Sequence, residues 1–177
     1  VIDGMQFPEL TQEHKIQAVP TLLLDDQFRW TGAIKLDEVI DLMMDRDPSL
    51  LGASSLEMIL KDGNAAKLAR MMLDEDKISP AFYDVLVHQL WSTRLGAMVV
   101  MEELISKRPQ LAIQVIDPLW ERFTEISEQA RGDILYIFGE IGTPDAVPAL
   151  ESVLDGEYSA DVKEAAEEAL MKIKRHA

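Results

Sequence analysis

The spacing of apolar and polar positions changes character partway along the chain. Residues 19–24, VPTLLL, are an apolar run, and residues 28–31, FRWT, are a second. The polar Asp25-Asp26-Gln27 between them favours a turn, so a β-hairpin is expected. Pro20 suits the margin of a strand, where a missing ladder donor costs little. Upstream, Val1 and Ile2 read as the end of a strand, and Pro8-Glu9-Leu10 opens a short helix with proline in its first turn. Downstream, Gly32-Ala33 breaks the hairpin, and LDEVIDLM from Leu36 onward has apolar residues at helical spacing.

Residues 45–55, DRDPSLLGASS, carry Pro, Gly and Ser and read as a joint between two units, 1–46 and 47–177. Beyond the joint the strand-like alternation stops. Apolar residues recur at three and four, which predicts helices near 55–61, 65–74, 79–90, 94–106, 111–124, 128–141, 145–154 and 160–175. Ser79-Pro80, Thr143-Pro144-Asp145 and Ser159-Ala160-Asp161 supply cap signals at three of the starts.

The helical part repeats itself. MVVMEEL, starting at Met98, overlays LYIFGEI, starting at Leu135, without gaps, and FGEI at Phe138 overlays LMKI at Leu170. GEIGTPDAVPALESVLD followed by ADVKEAAEEALMKI resembles a HEAT repeat, and the resemblance implies an α-solenoid of about three helix pairs plus capping helices. Ala165, Ala166 and Ala169 are expected to let the last helix approach its neighbour closely.

The leading part has a resemblance of its own. FPELTQEHKIQAVPTLLLDDQFRWTGAIKLDEVIDLM is similar to the C-terminal half of a thioredoxin fold, nearest to the glutaredoxin-like protein disulfide oxidoreductases. It covers residues 1–46, about the first quarter of the 177 residues. The resemblance implies that Pro20 is a cis proline and that Val19, Pro20 and Thr21 present backbone to an extended substrate peptide. It also makes Gly32 the residue at which the second hairpin strand leaves the sheet. The family's Cys-x-x-Cys would lie upstream of these positions. Because the chain opens on Val1 in what reads as the tail of an element, it is expected to be a fragment. The fold class expected is therefore mostly α, with a partial thioredoxin-like helix, hairpin and helix ahead of the helical repeats.

Charge and cysteine content narrow the chemistry. With 17 Lys and Arg against 32 Asp and Glu, the formal net charge is −15, a field that repels phosphate backbones and anionic lipid. Nucleic acid and membranes are not expected as partners; protein clients, basic ones in particular, are, in a cytoplasmic setting. The absence of cysteine removes thiol catalysis and thiolate metal sites from these residues. His14, His88 and His176 lie far apart, outside any metal-ligand spacing. No catalytic residue, metal or cofactor is expected.

Other features read as structural. Glu102-Glu103 and Glu167-Glu168 suit solvated helix faces, since helix neighbours point in different directions. Met43, Met44, Met71, Met72, Met98 and Met101 suit core packing, and Trp30, Trp91 and Trp120 suit junctions. His88 reads as a satisfied structural histidine on an amphipathic helix. A two-stranded ribbon is marginal alone and its inner strand shows an open edge, so a homodimer through the strand beginning at Pro20 is expected. Two functions are then in play. In the first, the parent is a thiol-disulfide oxidoreductase acting on proteins, its Cys-x-x-Cys absent from these residues. In the second, which the present residues favour, the chain is a non-catalytic protein-protein interaction module.

Overall fold

A computed structural model of the chain describes residues 2–25 and 28–176, with backbone alone for His176. It is mostly helical, with one two-stranded antiparallel sheet among the described residues. The chain divides into two units, Val1–Arg46 and Asp47–Ala177.

The first unit runs α1 (Pro8–Glu13), β1 (Thr21–Leu24), β2 (Phe28–Thr31) and α2 (Leu36–Met44). Proline opens α1, which buries none of its residues. Strands β1 and β2 pair Thr21 with Thr31, Leu22 with Trp30, Leu23 with Arg29 and Leu24 with Phe28. Opposed residues share a face, so Leu22, Leu24, Phe28 and Trp30 lie on one side and Thr21, Leu23, Arg29 and Thr31 on the other. The first side is the packed one: Phe28 and Trp30 are buried, their rings stacked with centroids 6.2 Å apart. The indole Nε1 of Trp30 donates to Glu38 Oε1 at 3.0 Å, tying the hairpin to α2, whose Val39 and Leu42 are buried. On the other side Arg29 donates to the carbonyls of His14 and Lys15, just past α1. Asp25 enters the turn at φ 53° and Gly32 leaves β2 at φ 80°. Asp26 and Gln27 of the expected turn lie outside the described residues, as does Val1; Ile2 is not in a strand, which corrects the reading at that residue.

The second unit opens with a 3-10 turn at Pro48–Leu50, capped by Asp47, which accepts the Ser49 amide at 2.8 Å. Then follow α3 (Ala53–Lys61), α4 (Ala65–Glu75), α5 (Phe82–Leu86), α6 (Trp91–Lys107), α7 (Pro109–Ile113), α8 (Ile116–Glu121), α9 (Glu128–Ile141), α10 (Val147–Asp155) and α11 (Ala160–His176). Phe82, Leu104, Leu119, Phe123, Ile134 and Phe138 are fully buried and draw these helices around one core. Within this unit α4 packs on α6, α6 on α9 and α9 on α11. Gly139 makes the last contact possible: a Cβ there would stand 2.9 Å from the Cα of Ala169. Ala166 and Ala169 are buried as expected, while Ala165 is half-buried.

Two expected helices are shorter or broken. The stretch 111–124 divides into α7 and α8 because Pro118 has no N–H for the Gln114 carbonyl and its ring crowds that same group. The stretch 79–90 is helical only over α5. Arg94, 3% exposed, takes the carbonyls of His88 at 2.8 Å and Gln89 at 3.1 Å, which holds the chain out of a helix there and moves the start of α6 to Trp91. Ser79 is no cap either: it is buried, and its hydroxyl donates to the Ser49 carbonyl at 3.4 Å. Thr143 and Ser159 do act as caps, accepting the amides of Asp145 and Val162, each at 3.4 Å.

Candidate functional site

The corner before β1 holds the three residues that the sequence nominates for binding. The Val19–Pro20 peptide bond is cis. Val19 is 83% exposed and Pro20 is exposed. Thr21 is fixed from both ends: its hydroxyl donates to the Ala18 carbonyl at 2.6 Å and lies 3.3 Å from the Thr31 hydroxyl across the ladder. The Gly32 amide donates to the Pro20 carbonyl at 2.8 Å, so Pro20 and Gly32 form a hydrogen-bonded pair. Antiparallel pairs alternate, which makes Leu22–Trp30 and Leu24–Phe28 bonded pairs as well. The N–H and C=O groups of Thr21 and Leu23 therefore point away from β2, and no third strand meets them among the described residues. Beside this edge lie Val19 and Leu23, and α2 carries an uncovered stripe of Leu36, Ile40, Met43 and Met44, all more than half exposed. The expectation that Met43 and Met44 serve the core is corrected, whereas Met72 and Met101 are buried.

The second unit exposes a different surface. Trp91, Leu95 and Val99 on α6 are 62%, 42% and 45% exposed, so Trp91 fills no junction. Trp120 near the end of α8 packs locally, its ring 4.9 Å from that of Phe123. Tyr136 on α9 donates its hydroxyl to Glu102 Oε1 at 3.4 Å. Burial first, and then the nearby carboxylates of Glu140 and Glu102, push the Tyr136 phenol up to about 12. Lys172 of α11 meets Glu140 and stands 5.6 Å from the centroid of the Tyr136 ring.

The remaining polar groups hold the fold. His88 Nδ1 accepts the Leu90 amide at 3.1 Å, which makes it a structural histidine. Glu57 accepts from Lys61 at 3.0 Å and Thr93 at 3.2 Å; the Lys61 hydrogen bond, assisted by the Lys61 charge, outweighs burial and keeps it ionised below its ordinary 4.5. For Asp47 burial works upward, but the Ser49 hydroxyl and amide and Lys77 outweigh it, and its carboxyl lies below 3.8. A recess lined by Pro48, Met71, Met72, Glu75 and Lys77 has room, at about 10 Å³, for roughly one water. Among the described residues no group of His, Asp and Glu is placed to hold a metal ion, and no helix is long and apolar enough to cross a membrane. No protein-family model, curated protein or solved structure matches the chain.

Proposed function

We propose that the chain is a non-catalytic protein-binding module, its first unit the back half of a thioredoxin-type fold and its second a HEAT-like stack of helix pairs. The observation that carries the reading is the open edge of β1, where the backbone groups of Thr21 and Leu23 face away from the only partner strand described. Such an edge adds an extended segment by main-chain hydrogen bonding, while exposed Val19 and Leu23 supply apolar contact. The order α1, β1, β2, α2 with Pro20 leading into β1 is the order the resemblance implies. For the second unit, support comes from side-chain bonds that recur at a repeat-like separation. Arg108–Asp76, Tyr136–Glu102, Thr93–Glu57, Arg122–Asp84 and Arg94–Asp133 span 32, 34, 36, 38 and 39 residues, close to one helical repeat.

A second copy of the chain is the simplest donor of the extended segment, giving a homodimer through β1. Analytical ultracentrifugation tests it together with Leu23→Pro. The substitution removes an N–H that faces away from β2, so the hairpin ladder stays intact while the edge is blocked. A concentration-dependent dimer that Leu23→Pro converts to monomer supports the reading. A well-folded monomer whose Thr21 and Leu23 amides exchange freely with solvent at every concentration sinks it.

The exposed corner at Val19 favours a second reading. A longer gene product carrying Cys-x-x-Cys ahead of these residues acts as a thiol-disulfide oxidoreductase, the Val19 backbone steadying an extended client. Insulin reduction by that product tests it, and a product without the cysteine pair, or with it and inactive, removes it.

A further inference from the structure

Leu50, Leu90 and Met171 are exposed singly in the second unit, but four further exposed large apolar side chains, Trp91, Leu95, Val99 and Tyr136, belong to α6 and α9. Trp91, Leu95 and Val99 stand at four-residue steps and make a single stripe along α6. Glu102 continues that stripe, and because its carboxylate accepts the Tyr136 hydroxyl, α9 adds a half-exposed aromatic ring beside it. An isolated exposed apolar residue needs no explanation, but a contiguous row of aromatic and aliphatic groups marks an interaction surface. At the Tyr136 end, Glu140 and Glu102 flank the phenol, and the ammonium of Lys172 sits against the ring and Glu140. That end already receives a cation by the ring-face and carboxylate contacts that a lysine or arginine from another molecule would use.

We propose that this α6–α9 face docks a cationic amphipathic helix of a partner protein. The partner's apolar side covers Trp91, Leu95 and Val99, a row about 12 Å long at 1.5 Å per helical residue, enough for two turns of a bound helix. Its Lys and Arg side chains reach Glu102 and Glu140. Charge selects this occupant: residues 47–177 hold 23 Asp and Glu against 13 Lys and Arg, so two copies of this face would repel each other while a basic helix is drawn in. The inference rests on the protein-binding reading above and places that binding, for the second unit, on named residues.

The test uses the full chain and a fluorescently labelled synthetic helix of Leu and Lys, read by anisotropy, beside a Leu/Glu helix and a Lys/Ser peptide with no apolar face. Saturable binding of the Leu/Lys helix alone is expected. Trp91→Ala or Leu95→Ser should weaken it at least about tenfold, the loss typical of a central anchor. Glu102→Gln should flatten its salt dependence. All three positions are at the surface, and unchanged thermal melting establishes that each variant is folded. Binding indifferent to Trp91→Ala and Leu95→Ser overturns the location and leaves protein binding elsewhere on the chain standing. Equal affinity for the Leu/Glu helix, or no binding of any peptide, overturns the cationic partner, while the β1 edge is judged separately by ultracentrifugation. A dimer that Trp91→Ala dissociates assigns the face to a second copy and overturns the proposal.

Discussion

Val1–Arg46 and Asp47–Ala177 solve the same problem, covering apolar side chains, with opposite success. The larger unit buries its apolar residues around Phe82, Phe123 and Phe138, and leaves out Trp91, Leu95 and Val99 on α6, Tyr136 on α9, and Leu50, Leu90 and Met171 elsewhere. The smaller buries Phe28, Trp30, Val39 and Leu42, yet exposes Met5, Phe7, Val19, Leu36, Ile40, Met43 and Met44. Its α2 is apolar on two sides and covered on one. The contrast follows from geometry. Helices packed on one another, as α4 on α6, α6 on α9 and α9 on α11, cover each other's apolar faces, whereas a two-stranded ribbon has two edges and two faces and only two helices to serve them. The smaller unit is thus left with an apolar excess that its own two helices do not cover.

The sharpest way to break this comparison is to remove equivalent apolar bulk from each unit. Phe138→Ala empties a fully buried site in α9 and should cost about 3–5 kcal/mol, read from the urea midpoint. Ile40→Ala removes bulk from the uncovered stripe of α2 and should stay within about 0.5 kcal/mol. A large loss from Ile40→Ala would show that the stripe is covered in solution, and the contrast between the units would collapse. A second cut tests how tightly the larger unit closes. Gly139→Ala drives a methyl against the Ala169 backbone and should cost about 1–3 kcal/mol, although the same change favours a helix elsewhere. An unchanged or raised midpoint would mean that α9 and α11 separate easily.

What the sequence made legible follows the range of the interactions involved. The hairpin, α2 and α9 through α11 were readable because local signals set them: a polar turn, Gly32, the Thr143 and Ser159 caps, and a helical apolar period. The break between α7 and α8 was also local, since Pro118 stood in the sequence and the apolar period was allowed to override it. The end of α5 was not readable. Arg94 strips two carbonyls from the preceding segment, and nothing nearby announces that its guanidinium is buried and anchored to Asp133 at 2.6 Å. The α6–α9 surface stayed hidden for a related reason. WSTRLGAMVVMEELISK is apolar on more than one side, so its period cannot say that Ala97, Val100, Met101 and Leu104 face in while Trp91, Leu95 and Val99 face out. The Val19–Pro20 bond is cis, as the resemblance implied, whereas peptide binding by Val19, Pro20 and Thr21 rests on the resemblance alone.

Within the smaller unit, the comparison sharpens on a buried polar bond. Trp30 and Glu38 are 2% and 8% exposed, and the indole N–H has Glu38 as its acceptor. Glu38→Leu keeps the bulk and removes the acceptor, leaving the N–H buried without a partner, and should cost about 1–3 kcal/mol. Tryptophan emission should shift with it. In a unit with so few buried side chains, that loss is expected to unfold the hairpin while leaving the helical signal of the larger unit intact. If both units melt together, they are not separable in stability.

The smallest effect separates the units by acid. Glu57 and Asp47 belong to the larger unit, and both carboxyls lie below their ordinary values of 4.5 and 3.8. The unfolded chain therefore binds protons at these positions before the folded chain does. The stability they contribute is full above those ordinary values and is lost as the pH falls through the lower, folded ones. The larger unit should accordingly weaken as the pH drops below about 4.5, the Glu57 share coming first. In Glu57→Gln, which retains an acceptor for Thr93 but no charge for Lys61, that part of the slope should vanish while the neutral-pH midpoint falls slightly. An acid slope the same in Glu57→Gln as in the parent chain would show that the Glu57 charge, paired with Lys61 along α3, adds nothing to the stability of the larger unit.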